Sequence, residues 1–253
     1  MSGAAPAAAP GLTEDALLGG RVRLRQPADG YRAAIDPVLL AAAVPAGDHE
    51  TVLDIGCGAG AASLCLAARV PLCRITGLEQ QLALVRLAGD NAALNGVAGR
   101  FSAMVGDLLQ PPPRLAPGSF AHVMANPPFL EAGAATPPPD AGKRAANVEG
   151  AADLAAWVRF AAAMARPKGS VTFVHRADRV EHLLAAMAGR LGEIVLFPLW
   201  PGEGKPAKRI LVRGRKDIAG PSRIASGLVL HRRDGGFTEA ADAVLRHAAA
   251  LEL

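Results

Sequence analysis

The 253-residue chain is 51% hydrophobic, enough for one large core or a core with small additions. With 27 Lys+Arg against 23 Asp+Glu its net charge is +4, which permits a polyanionic partner without demanding one. Three classes are excluded from the expectation. No apolar run approaches the ~18 to 20 residues that span a bilayer; Cys57, Cys65 and Cys73 form no Cys-x-x-Cys, so no disulfide framework is expected; and the histidines show no metal-ligand spacing.

Residues 1–17 read as a flexible tail rich in alanine, proline and glycine at its start, with no signal-peptide core. Residues 18–253 read as a single domain: a cap segment over 18–50, a core over 51–216 and a C-terminal appendix over 217–253. In the cap segment, Arg21 to Gln26 alternates in the manner of a half-exposed strand that would place its arginines on one face. Tyr31 and Arg32 follow, an aromatic beside a base. Asp36 then Pro37 is a helix N-cap and first-turn signature, predicting a helix to about Val44.

From Thr51 the signals alternate: strand 51–55, helix 59–69, strand 74–78, helix 81–94, strand 101–105. Asn95-Gly96 closes the second of these helices. After Pro111-Pro112-Pro113, residues 120–125 supply a fourth strand. Residues 131–150, with a second triple proline, Lys143 and Arg144, lack periodicity and form a candidate substrate lid. Helix 151–165, strand 170–175, helix 179–191 and strands 193–199 and 209–213 complete the core. The pattern predicts a mainly parallel sheet covered by helices on both faces.

The chemistry gathers at strand ends. Val52-Leu53-Asp54-Ile55-Gly56-Cys57-Gly58-Ala59-Gly60 carries a buried strand into a glycine turn and then a helix, which is how an open α/β sheet cradles a ligand. Gly56, Gly58 and Gly60 would let the ligand lie against the main chain. The turn lacks the lysine and hydroxyl of a phosphate-cradling loop, and its Gly-x-Gly-x-Gly differs from the pyrophosphate pattern, so the expected ligand carries no phosphate. Glu79 and Asp107 stand just past the next two strands, on the same sheet edge.

Those residues resemble the cofactor site of class I S-adenosylmethionine-dependent methyltransferases, with Asp54 to Gly60 as the nucleoside loop, Glu79 as the ribose acid and Asp107 as the adenine acid. Val123 to Phe129 resembles the Asn-Pro-Pro-(Tyr/Phe) signature of the subgroup that methylates planar nitrogens. The resemblance implies a Rossmann-like α/β fold with a seven-stranded sheet and an antiparallel last hairpin, and S-adenosyl-L-methionine as cofactor. It assigns catalysis to Asn126, Pro127, Pro128 and Phe129, with Asn126 also touching the cofactor, and places Asp36 in a segment packed over it.

From about Leu18 the layout is similar to the tRNA1(Val) adenine-37 N6-methyltransferase family. That likeness implies a cytoplasmic, monomeric enzyme forming N6-methyladenine in a tRNA anticodon loop. Tyr31, Arg32, Lys143, Arg144, Lys205 and Lys208 are the residues expected to meet RNA, within a wider basic set that includes Arg21, Arg23, Arg25, Arg209, Arg213, Arg215 and Lys216. A protein glutamine N5-methyltransferase and an rRNA guanine N2-methyltransferase are rival enzymes on the same motif; a non-enzymatic RNA-binding or cofactor-sensing protein is the third reading.

Overall fold

The computed structural model describes residues 11–29, 32–128 and 152–253. A hairpin comes first, β1 (Leu12–Leu17) paired antiparallel with β2 (Val22–Pro27). Residues 12–17, expected as part of the tail, are therefore a strand. The weak alternation of Leu-Thr-Glu-Asp-Ala-Leu hid it, because its partner is β2 alone and no residue of it is fully buried.

The core follows as α1 (Asp36–Ala43), β3 (Thr51–Ile55), α2 (Ala61–Arg69), β4 (Arg74–Glu79), α3 (Leu82–Leu94), β5 (Phe101–Val105), β6 (Phe120–Ala125), α4 (Leu154–Met164), β7 (Ala165–Arg176), α5 (Val180–Met187), β8 (Leu191–Trp200) and β9 (Arg209–Lys216). Two-residue strands β10 (Arg223–Ile224) and β11 (Leu228–Val229) pair with β8, and α6 (Glu239–His247) completes the described elements. The long strands lie in the order β8-β9-β7-β6-β3-β4-β5, with β9 antiparallel to both neighbours and the others parallel. This is the mainly parallel sheet, with an antiparallel last hairpin, that the sequence led us to expect. No helix among the described residues is long and apolar enough to cross a membrane.

One face of the sheet packs on α1, α2 and α3 through residues such as Leu39, Leu64 and Ala88, and the other on α4 and α5 through Val158, Ala161 and Leu183. A strand buried on both faces has no room for polar alternation, which is why β6 is buried along its whole length.

The hairpin is fastened to the core by two asparagines one turn apart, Asn91 on α3 and Asn95 at its C-terminal cap. Asn91 accepts from the Arg25 amide at 2.9 Å and donates to the Arg25 carbonyl at 2.8 Å and to the Ala59 carbonyl at 2.9 Å. Asn95 repeats the pairing with Arg23, at 2.9 and 2.7 Å. Each amide side chain presents a strand-like donor and acceptor to β2, so the helix substitutes for a neighbouring strand. Asn91 is fully buried, and Asn91→Ala strands three backbone groups at once. Urea unfolding is expected to show a loss of about 2 to 4 kcal/mol; a loss below about 1 kcal/mol would contradict this role.

Candidate active site

Register builds the site before any side chain is considered. Ile55 of β3 pairs with Ala125 of β6 and with Leu78 of β4, and Glu79 pairs with Val105 of β5. The residues that follow therefore leave the sheet side by side: Asn126, Gly56, Glu79 and Gly106-Asp107 along one carboxyl edge. The chain order reverses between β3 and β6, the place where an open α/β sheet leaves a crevice. A cavity of about 320 Å³ opens there, a size suited to a small-molecule ligand.

Its floor is the glycine turn, where Gly56 and Cys57 both donate to the Leu78 carbonyl, at 2.7 and 3.1 Å. Its roof is the hairpin and the start of α1, through Leu24, Gln26, Asp29, Ala33 and Pro37. Gln26 is buried; it accepts from the Ala33 amide at 2.8 Å and donates to Asp15 at 2.8 Å, tying the hairpin to the chain that crosses the cavity. Nothing in the sequence pattern marked Gln26 as a clasp.

Four carboxylates, Asp29, Asp54, Glu79 and Asp107, line the cavity, and no Lys, Arg or His is among its described lining residues. That charge balance suits a cationic ligand and opposes a phosphorylated one. Glu79 accepts from the Gly58 amide at 3.0 Å and from the Gln81 amide at 2.9 Å, so it holds the turn in shape while facing the cavity. Asp107 accepts from the Leu109 amide at 2.9 Å, and Gln80 reaches it at 3.5 Å.

Asp54 is buried with Ser63 donating to it at 2.7 Å. Burial pushes its carboxyl up to about 7, the Glu79 charge adding to the rise and the Ser63 hydrogen bonds opposing it. An acid raised in the folded state stabilises the ligand-free fold below its unfolded value, and that contribution is lost as pH climbs towards 7. A cation bound beside Asp54 favours the ionised form, so its affinity is expected to increase with pH up to about 7 and then level. Calorimetry in buffers of different ionisation enthalpy should detect proton release on binding at pH 6 and little at pH 8.5. Equal proton uptake at both would contradict it.

The three glycines are glycines for different reasons. All have positive φ (69°, 56° and 90°), which alone disfavours a side chain. Gly58 faces open space. A Cβ on Gly56 would meet Trp157 at 2.6 Å, and one on Gly60 would meet Phe101 at 2.8 Å. Gly60 starts α2 behind the turn and is not among the residues lining the cavity.

Asp36 corrects the sequence expectation. Ile35 occupies the cap position of α1 and Asp36 its first turn, where the carboxylate pairs with Arg209 at 3.0 Å instead of reaching the cavity; Pro37 and Ala33 provide the lining. Arg32 likewise turns to Asp15 at 2.8 Å.

The basic residues do not converge as a set. Arg23 and Arg25 share Glu14, and Arg21 donates to the His247 carbonyl. Because β9 runs antiparallel, it brings only its start to the site edge. Exposed Lys205 and Lys208 precede it there, outside the cavity lining, whereas Arg215 and Lys216 lie at the far edge bonded to Glu193 and to the Ala163 and Ala165 carbonyls. Arg213 turns inward to the Leu253 and Ala43 carbonyls. Tyr31, Phe129, Lys143, Arg144 and the proposed lid over 131–150 lie outside the described residues.

A family model described as "Methyltransferase small domain" matches residues 34–141, the stretch that holds the glycine turn, both edge carboxylates and the Asn-Pro-Pro motif. A solved structure from Agrobacterium tumefaciens, described as a predicted O-methyltransferase, superposes with a TM-score of 0.72 over 85% of this chain and 98% of its own, at 24% identity. The chain has the class I methyltransferase fold. At that identity the structure speaks for the fold and not for the acceptor. A relative named tRNA1(Val) (adenine(37)-N6)-methyltransferase, from Porphyromonas gingivalis, is 28% identical over 86% of this chain and 88% of its own length. A shorter match, 37% identical over 83 residues, joins the chain to a release factor glutamine methyltransferase of Deinococcus radiodurans but spans only 28% of that protein.

Proposed function

We propose that this methyltransferase uses S-adenosyl-L-methionine to form N6-methyladenine in tRNA, at an anticodon-loop adenine. The observation that carries the reading is the register that sets Asn126 beside Gly56 at the cavity wall. The cavity fits the cofactor on its own residues. Its four carboxylates suit a cationic molecule, and it lacks a phosphate cradle.

When bound, the cofactor supplies an electrophilic methyl on a cationic sulfonium. Glu79 would accept from the ribose hydroxyls, Asp107 from the adenine amine, and Asp54 would face the cationic end. An exocyclic amine is a poor nucleophile because its lone pair is delocalised into the ring. The Asn126 side-chain oxygen and the Pro127 carbonyl can each accept one of its N–H groups, turning the lone pair out of conjugation and towards the methyl position. Pro127 and Pro128 restrict the backbone that presents those acceptors. An amide is no base, so the proton leaves to solvent after transfer, once the methylated nitrogen has become acidic. Alignment of this kind supplies ~7 to 11 kcal/mol in well-oriented reactions.

The tRNA acceptor is supported by the Porphyromonas relative, whose match runs almost end to end, and by Lys205 and Lys208 at the site edge, which suit phosphates. A cytoplasmic location accompanies such an acceptor. The test supplies methyl-labelled cofactor with unmodified tRNA and, in parallel, with a protein acceptor bearing the release-factor glutamine. Label in N6-methyladenosine after nucleoside digestion is the expected result. Label in N2-methylguanosine, or in glutamine alone, would overturn the acceptor while leaving the cofactor in place.

A further inference from the structure

Trp157 is the only aromatic residue among the described lining of the cavity, and the mechanism above leaves it without a part. It lies on the first turn of α4, a helix held by Asp153, whose side chain accepts from the Ala156 amide at 2.7 Å. The indole is 9% exposed and packed among the core residues behind the ends of β3 and β6, including Ile55 and Ala125. Its six-membered ring closes against Gly56, where a Cβ would stand 2.6 Å from Cη2 and 3.2 Å from Cζ3. The indole thus walls the cavity beside Gly56, at the end of β3, whose neighbour β6 delivers Asn126. A packed, largely desolvated π-system beside a cavity with an acidic lining is suited to a cation without directed hydrogen bonds, and a sulfonium is such a cation.

We infer that Trp157 reads the positive charge of the bound cofactor, so that the cavity holds the sulfonium form more tightly than the neutral thioether left after transfer. The inference rests on the cofactor reading above. It gives the product a reason to leave: methyl transfer removes the charge that the indole attracts, while the ribose, adenine and α-amino contacts are common to both molecules.

The test is equilibrium binding, without turnover. S-adenosyl-L-methionine and S-adenosyl-L-homocysteine are titrated by calorimetry into the wild type, Trp157→Phe and Trp157→Leu. The leucine variant is expected to lower the preference for the sulfonium form about three- to thirty-fold, with phenylalanine between. A shape-preserving series guards against a variant that fails to fold. The chain has two tryptophans, so a Trp200→Phe background allows Trp157 alone to be replaced by mono-, di- and trifluorotryptophan. Affinity for S-adenosyl-L-methionine should fall stepwise with each fluorine, and affinity for S-adenosyl-L-homocysteine should stay flat. Parallel weakening of both ligands, or no change in either, would assign the indole to structure alone and overturn the inference. A wild type that binds neither ligand would instead remove the cofactor reading on which it rests.

Discussion

Asn126→Ala is expected to lower the methyl-transfer rate about 10²- to 10³-fold while changing cofactor affinity by less than about threefold. The loss is the size seen when one oriented acceptor or donor is removed from a reacting centre. Asn126 leaves β6 directly after a strand buried throughout, so its backbone is fixed by Ala125 pairing with Ile55, independently of its own side chain. Truncation therefore removes the amide oxygen while the strand that delivers it keeps its own pairing. Single-turnover kinetics with saturating cofactor separates the two terms. A rate within tenfold of the wild type would mean that the amine is oriented by other groups, and the acceptor geometry would have to be rebuilt.

Glu79→Ala is expected to act on the other term, weakening cofactor binding at least about 100-fold. Both carboxylate oxygens already hold backbone amides, those of Gly58 and Gln81, so the side chain shapes the turn and faces the ligand at once. Hydrogen bonds to a charged group contribute about 1.5 to 3 kcal/mol each, and alanine leaves both amides without that acceptor. Glu79→Gln retains a single acceptor oxygen and must aim an amide N–H towards Gly58 or Gln81; it should fall between the wild type and alanine. Titration by intrinsic fluorescence measures all three. Unchanged affinity in Glu79→Ala would show that the ligand does not use this wall of the cavity.

The parallel core was legible because buried β-branched and alanine-rich segments alternate with turn residues at regular intervals, and the residue following each strand announced the site. Asp54, Glu79, Asp107 and Asn126 come together because parallel strands present their ends on one edge, which is a consequence of topology and needs no knowledge of packing. What escaped the sequence depends on long-range contact. The Asp36 partner, Arg209, is 173 positions away. Trp157 meets Gly56 from a separate helix, α4, and Asn91 and Asn95 serve a hairpin that a helical pattern gives no reason to expect. The basic residues between Lys205 and Lys216 looked like one cluster in the sequence. Strand direction divides them, since an antiparallel strand carries charge away from the edge where the parallel strands deliver their functional groups.

The most direct measurement of the account is a crystal structure of the complex with S-adenosyl-L-homocysteine. The ribose hydroxyls should lie on Glu79, the adenine beside Asp107, and the sulfur towards the Asn126 amide with Trp157 at its flank. A ligand bound elsewhere, or an Asn126 side chain turned out of the cavity, would contradict it.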